Sequence, residues 1–249
     1  MKKSSAIVIV LLVLSATSAA YAMSDQQARE LADAAYKGNA SSLSKLTSSA
    51  NLGDAGAQDG LGLYYAKKKN YDKARFWFDK SAKKGFDEAE FNLGLIYYRG
   101  FGVRLNYTKA VYWFGKAAKR GYAKAEDGLG VAYHNGYGVP QNYAEAHRLF
   151  QKAAKQGLVE AEYDLGSNYY KGQGVRLNYT KAVYWFEKAA KQGYAKAEDG
   201  LGVAYYNGHG VPQDTKTAIY WWKKAVAHGG VYGKKAEHDI NVAESNNAD

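Results

Sequence analysis

The chain contains no cysteine. Disulfides, thiol-linked lipids and thiolate nucleophiles or metal ligands are thereby excluded, and packing alone must hold the fold. Long apolar runs are also missing: the longest, Ala6 to Leu14, falls short of the ~18 residues that a membrane-spanning helix needs. Catalytic motifs are absent too. The histidines His134, His147, His209, His228 and His238 are scattered, with no His-Glu-x-x-His zinc pair and no Gly-x-Ser-x-Gly elbow. No catalytic residue, metal site or cofactor is therefore expected.

Lys2 and Lys3 precede the Ala6–Leu14 stretch, and small residues ending Ala20-Tyr21-Ala22 follow it. This order of charge, apolar run and small residues is that of a secretory signal peptide cleaved after Ala22. A periplasmic or secreted chain with no transmembrane anchor is expected, starting at Met23. Removing Lys2 and Lys3 lowers the formal charge from +10 to +8. The lysines alternate with Glu and Asp at helical spacing, which suits a solvated helix face better than a nucleic-acid track, and export argues further against nucleic acid. Weak attraction to anionic envelope polymers stays open.

Glycine, by contrast, is plentiful and regular. Gly85, Gly121, Gly157, Gly193 and Gly229 lie 36 residues apart, each closing a segment like Tyr107-x-Lys109-Ala110-x-x-Trp113-Phe114-x-Lys116-Ala117-Ala118-Lys119-x-Gly121. A period of this size denotes a repeat array, whose units bury their apolar faces only by stacking on neighbours. A second landmark, Leu-Gly-x-x-Tyr, begins at Leu61, Leu93, Leu129, Leu165 and Leu201, so only the first step is short, 32 residues against 36. Residues 101–141 and 173–213 agree at 36 of 41 positions, the mark of a duplicated two-unit block.

Each unit carries two helical patterns. Ala125, Leu129 and Tyr133 form one stripe of a first helix over Ala123 to His134. Ala110, Trp113, Phe114, Ala117 and Ala118 form the apolar side of a second over Tyr107 to Lys119. A mid-helix glycine costs about 1 kcal/mol relative to alanine, yet it recurs at Gly62, Gly94, Gly130, Gly166 and Gly202. Close approach of the bulky Trp77-Phe78, Trp113-Phe114, Leu149-Phe150, Trp185-Phe186 and Trp221-Trp222 class is the expected compensation. The closing glycines fit left-handed caps. The Gly-x-Gly-Val loops lack the strand context of a phosphate-binding loop and read as turns.

The pattern Ala-x-x-x-Leu-Gly-x-x-Tyr-x-x-Gly-x-Gly-Val-x-x-x-Tyr-x-Lys-Ala-x-x-Trp-Phe-x-Lys-Ala-Ala resembles the Sel1-like repeats, relatives of the tetratricopeptide repeat, over about residues 55 to 230. The resemblance implies an all-α, right-handed solenoid of helix-turn-helix repeats that binds or assembles other proteins. The expected organisation is a signal peptide (1–22), an N-terminal helical cap (23–54), five repeats (55–230), and a capping helix with a frayed tail (231–249). Loop chemistry departs from the pattern and alternates: Val103 and Val175 are followed by Arg-Leu-Asn-Tyr, whereas Val139 and Val211 are followed by Pro-Gln. Asn39-Ala-Ser41, Asn106-Tyr-Thr108 and Asn178-Tyr-Thr180 match the N-glycosylation acceptor pattern, which matters only in a eukaryotic host.

If tetratricopeptide geometry carries over, the groove positions lie two before the repeat leucine and two, five and six after it. The partner-binding groove then contains Phe91, Tyr98, Arg99, Asp127, His134, Asn135, Tyr163, Tyr170, Lys171, Asp199, Tyr206 and Asn207. Tyr98, His134, Tyr170 and Tyr206 stand 36 apart and have two readings, a binding strip for an extended peptide or packing against the next hairpin. A scaffold or adaptor for a protein or extended peptide is expected. An envelope assembly component, a secreted effector held by a periplasmic immunity protein, and a host target of a virulence factor all fit as partners. A β-lactam-binding or hydrolysing role, described for some secreted relatives, is disfavoured because those relatives are cysteine-rich.

Overall fold

The computed structural model describes residues 22–245; residues 1–21, which make up all but the last residue of the expected signal peptide, and the tail 246–249 lie outside the described residues. Thirteen helices and no strand are present among the described residues. The chain divides into two compact units, Met1–Arg120 and Gly121–Asp249.

In the first unit, α1 (Asp25–Tyr36) and α2 (Ala40–Asn51) pair with each other and pack on α3 (Ala55–Lys67). α3 pairs with α4 (Tyr71–Ala82), α4 packs on α5 (Asp87–Arg99), and α5 pairs with α6 (Tyr107–Lys119). The second unit repeats the scheme with the hairpins α7 (Ala123–Asn135) with α8 (Tyr143–Lys155), α9 (Val159–Lys171) with α10 (Tyr179–Lys191), and α11 (Ala195–Asn207) with α12 (Thr215–Ala227). α13 (Gly230–Ser245) closes that unit against α11 and α12. It runs through Ser245, past Ala243, where the sequence pattern puts the end of the closing helix and the start of the frayed tail.

Side-chain caps start the second helices. Asn70, Asn106, Asn142, Asn178 and Asp214 each accept a hydrogen bond from a first-turn amide, worth about 1 kcal/mol each. Asn106 and Asn178, which match the glycosylation pattern, therefore serve as helix caps here. First helices from α5 onward end on left-handed Gly100, Gly136, Gly172 and Gly208, and the glycines of the 36-residue grid have positive φ as expected. The short first repeat manages the same turn without glycine, at Lys69 with φ 58°.

The mid-helix glycines meet the second aromatic of each pair. A Cβ on Gly130 or Gly166 would sit 2.7 Å from the Phe150 or Phe186 ring. Phe78, Phe114, Phe150, Phe186 and Trp222 are buried, each removing about 1.5–3 kcal/mol worth of apolar surface from water. The first aromatic of the pair is half-buried against the core: Trp113, Trp185 and Trp221 lie edge-to-face on the exposed Tyr112, Tyr184 and Tyr220 beneath the ammonium groups of Lys116, Lys188 and Lys224.

Candidate functional site

A buried carboxylate recurs inside the hairpins. Glu90, Glu126, Glu162 and Glu198 are each at most 2 % exposed, three residues before the repeat leucine. A side chain thirty residues on, from the last turn of the paired second helix or just beyond it, meets each one. Arg120 pairs with Glu90; Gln156 and Gln192 donate to Glu126 and Glu162 at 2.8 and 2.7 Å; His228 stands 3.2 Å from Glu198. Lys116 and Lys188 add second contacts, 3.0 Å to Glu90 and 3.2 Å to Glu162. These groups answer one another and belong to the framework.

The opening lies elsewhere. In the second unit the first helices α7, α9 and α11 border a cavity of about 300 Å³, with Phe150 of α8 also in its wall. Val131, His134 and Asn135 come from α7; Tyr163, Asp164, Ser167, Asn168 and Lys171 come from α9; Lys196 comes from α11. Of the groove residues expected from sequence, His134, Asn135, Tyr163 and Lys171 meet here. Asp127 is tied to the same cluster by repulsion from Asp164 and Glu160 and attraction to Lys196.

The electrostatics are set by burial. Desolvation pushes the Asp127 carboxyl well above the usual range, and pushes Asp164 up to about 6 against the pull of Lys196 and Lys171. Desolvation, with Lys171 nearby, lowers the pKa of His134, which favours the neutral ring. The Lys196 ammonium lies 5.8, 5.9 and 5.3 Å from the ring centres of Tyr163, Tyr194 and Tyr232. Asn135 Nδ2 donates to Val131 O at 2.9 Å within its own helix, so its Oδ1 is the end left to accept.

The 36-residue ring column packs inward on its own hairpin. Tyr98 meets Tyr107 and Phe114, His134 meets Tyr143 and Phe150, Tyr170 meets Tyr179 and Phe186, and Tyr206 meets Trp222. Tyr170 also hydrogen-bonds through its hydroxyl to His209 Nδ1 at 2.7 Å. Elsewhere among the expected residues, Phe91 lies against Phe114, Arg99 over the Phe101 ring, and Asn207 donates to Val203 O at 2.8 Å. The Asp199 carboxylate is held by Lys235 of α13 at 2.8 and 3.0 Å.

Sequence reasoning missed Asp164, Asn168 and Lys196. A signal existed: Asp164 stands where Gly128 and Gly200 stand in neighbouring repeats, and Asn168 interrupts a column of Ile96, Ala132 and Ala204. The described residues hold no group of three or more metal-ligating side chains.

The Sel1 repeat family model matches residues 49–86, 87–122, 123–158, 159–194 and 195–230. The chain belongs to the Sel1 repeat family. Its first Sel1 repeat thus opens at residue 49, six residues before the start expected from the helix pattern. Among solved structures, this Sel1 chain is similar to c5321, a protective antigen present in uropathogenic Escherichia coli strains. That likeness has TM-score 0.74 and 29 % identity over 90 % of this chain and 50 % of that one. A Sel1 repeat protein from Oxalobacter formigenes follows, with TM-score 0.68 and 34 % identity over 79 % of this chain and 59 % of that one. A sel1 repeat protein from Klebsiella pneumoniae subsp. pneumoniae shares the fold, with TM-score 0.56 at 23 % identity over 81 % of this chain and 98 % of that one. The chain spans about half the length of c5321 and about three fifths of the Oxalobacter protein. No curated protein matches it. Sel1 repeats generally mediate protein–protein interactions, and the family is typically non-enzymatic. No helix among the described residues is long and apolar enough to cross a membrane.

Proposed function

We propose that this Sel1 chain is an exported adaptor that holds a protein partner, as an extended segment, on the first-helix face of its second unit. The cavity between α7, α9 and α11 supports this most directly, because it joins residues of three repeats around a buried polar group without a partner, Asn168 Nδ2. Tyrosines pack that face rather than project from it, so selectivity falls to the polar side chains between them. Export is supported by the seat of Met23, the residue after the expected cleavage point: Ala22 is exposed, whereas Met23 is 7 % exposed and tied into the fold.

The test is affinity capture from the native host, with the purified protein beside Val131→Glu and Lys171→Glu variants, read by mass spectrometry. A protein captured by the native chain and lost from both folded variants supports the adaptor reading, and its identity distinguishes an effector from an envelope component. Retention of polysaccharide alone, unaffected by either substitution, overturns it.

A further inference from the structure

Asn168 is 1 % exposed, lines the α7–α9–α11 cavity, and its Nδ2 has no hydrogen-bond partner. An N–H group buried in that state has given up water without a replacement, which is costly until a ligand supplies an acceptor. The equivalent positions in three other repeats, Ile96, Ala132 and Ala204, carry no such group. The demand for an acceptor is local to this cavity.

The rest of the lining asks for the same thing. Ser167 brings a hydroxyl to the wall where the repeats on either side have Val131 and Val203. The charged groups are two ammonium ions, Lys171 and Lys196, against one carboxylate, Asp164. Both lysines act electrostatically on Asp164, yet neither makes an ion pair among the described residues. The His134 imidazole, lowered in pKa by burial and by Lys171, adds no charge near neutral pH. The cavity therefore holds an excess of one positive charge beside a buried donor. A cationic guest would add to that excess and a neutral one would leave it. A carboxylate would offset it and accept from Asn168 at once, through charge-assisted hydrogen bonds stronger than neutral ones. Its single charge matches the excess, where a phosphate would bring nearly two.

We infer that this cavity takes one aspartate or glutamate side chain of the partner segment, its carboxylate paired with Lys171 and Lys196 and accepting from Asn168 Nδ2. The inference rests on the reading of this face as the partner site. It adds the chemistry that the partner must bring. Asp164 opposes such a guest, and that opposition fixes the sign of one test.

Random linear peptides displayed with free C-termini are selected on the purified protein, and the enriched sequences are titrated calorimetrically with both ends blocked. They should share an acidic residue, and replacing it by asparagine or glutamine should weaken binding roughly tenfold or more. Lys171→Met and Lys196→Met should each weaken the acidic peptide several-fold and change the amide peptide little. Asn168→Ala should weaken both. Asp164→Asn should strengthen the acidic peptide several-fold, a gain that no folding defect can imitate. A loss there instead overturns the inference. Peptides that are lost from the Val131→Glu variant yet need no acid, or that bind only with a free C-terminus, also overturn it and keep the groove. If no peptide is enriched, or if all bind the Val131→Glu variant equally, both readings fall.

Discussion

The main-chain nitrogen of Met23 donates to Asp54 Oδ2 at 2.9 Å, while Asp54 Oδ1 accepts from Ala57 N at 2.6 Å and caps α3. One carboxylate thus fastens the incoming chain and starts the first repeat helix. Cleavage after Ala22 would turn that amide into an ammonium and the contact into an ion pair. Mass spectrometry of exported protein should find Met23 at the N-terminus. A chain starting there should exceed an alanine-extended one in stability by on the order of 1 kcal/mol. Asp54→Ala should cost about 1–2 kcal/mol in urea unfolding, and Asp54→Asn less, because asparagine still caps.

Gly166→Ala sets two effects against each other. Helix propensity gains about 1 kcal/mol, but the new methyl would lie 2.7 Å from the Phe186 ring and 3.2 Å from the carbonyl of Ala182. Forcing such space typically costs about 1–3 kcal/mol, so a net loss of up to about 2 kcal/mol is expected. Pairing it with Phe186→Leu should recover part of that loss, which a double-mutant cycle would read as coupling. Additive losses would mean the ring is not what the glycine accommodates.

Glu162 receives Gln192 at 2.7 Å and Lys188 at 3.2 Å while only 1 % exposed. Glu162→Ala leaves those donors facing an apolar void, and a loss of about 2–4 kcal/mol in chemical unfolding is expected. Glu162→Gln fills the space and should cost less. Equal losses in the two variants would assign the effect to the lost charge rather than to the void.

Asp164 makes the fold sensitive to pH in a direction opposite to that of a paired surface carboxylate. Burial raises its pKa from 3.8 to about 6; Lys196 and Lys171 oppose the rise, and Glu160 adds to it. Between those values the folded chain holds a proton that the unfolded chain has released, so this contribution to stability is present below pH ~4 and is lost as pH rises through about 6. Asp164→Asn should therefore be more stable than the native chain above pH ~6.5, by roughly 1–3 kcal/mol, with the two converging below pH ~4. Thermal melts across that range would show the crossover, and a constant offset would refute it.

The repeats and their helix pairs were legible because their causes are local. Tyr107 to Lys119 has the same bounds in sequence and structure, and the glycine at each grid position is where a left-handed cap is needed. The groove was less legible. Register arithmetic treats each first helix alone, so it counted Asp199 as a groove residue without knowing that Lys235 of the closing helix would hold its carboxylate. It passed over Asp164 and Asn168, which stand where the repeats on either side carry Gly128 and Gly200, and Ala132 and Ala204. Lys196 enters from the following repeat and was out of reach of any one-helix count. The buried glutamates could have been found, since a carboxylate three before four of the five repeat leucines and a polar side chain thirty residues later form a regular signal.

That interval of thirty residues, repeated at Glu90, Glu126, Glu162 and Glu198, bears on how such a chain can change length. Each buried acid finds its partner within its own hairpin, so inserting or removing whole 36-residue blocks preserves every pairing whatever the point of recombination. Genes of this kind can lengthen or shorten by unequal crossing-over without stranding a charge in the interior. The two-block duplication seen in residues 101–141 and 173–213 is what such tolerance leaves behind.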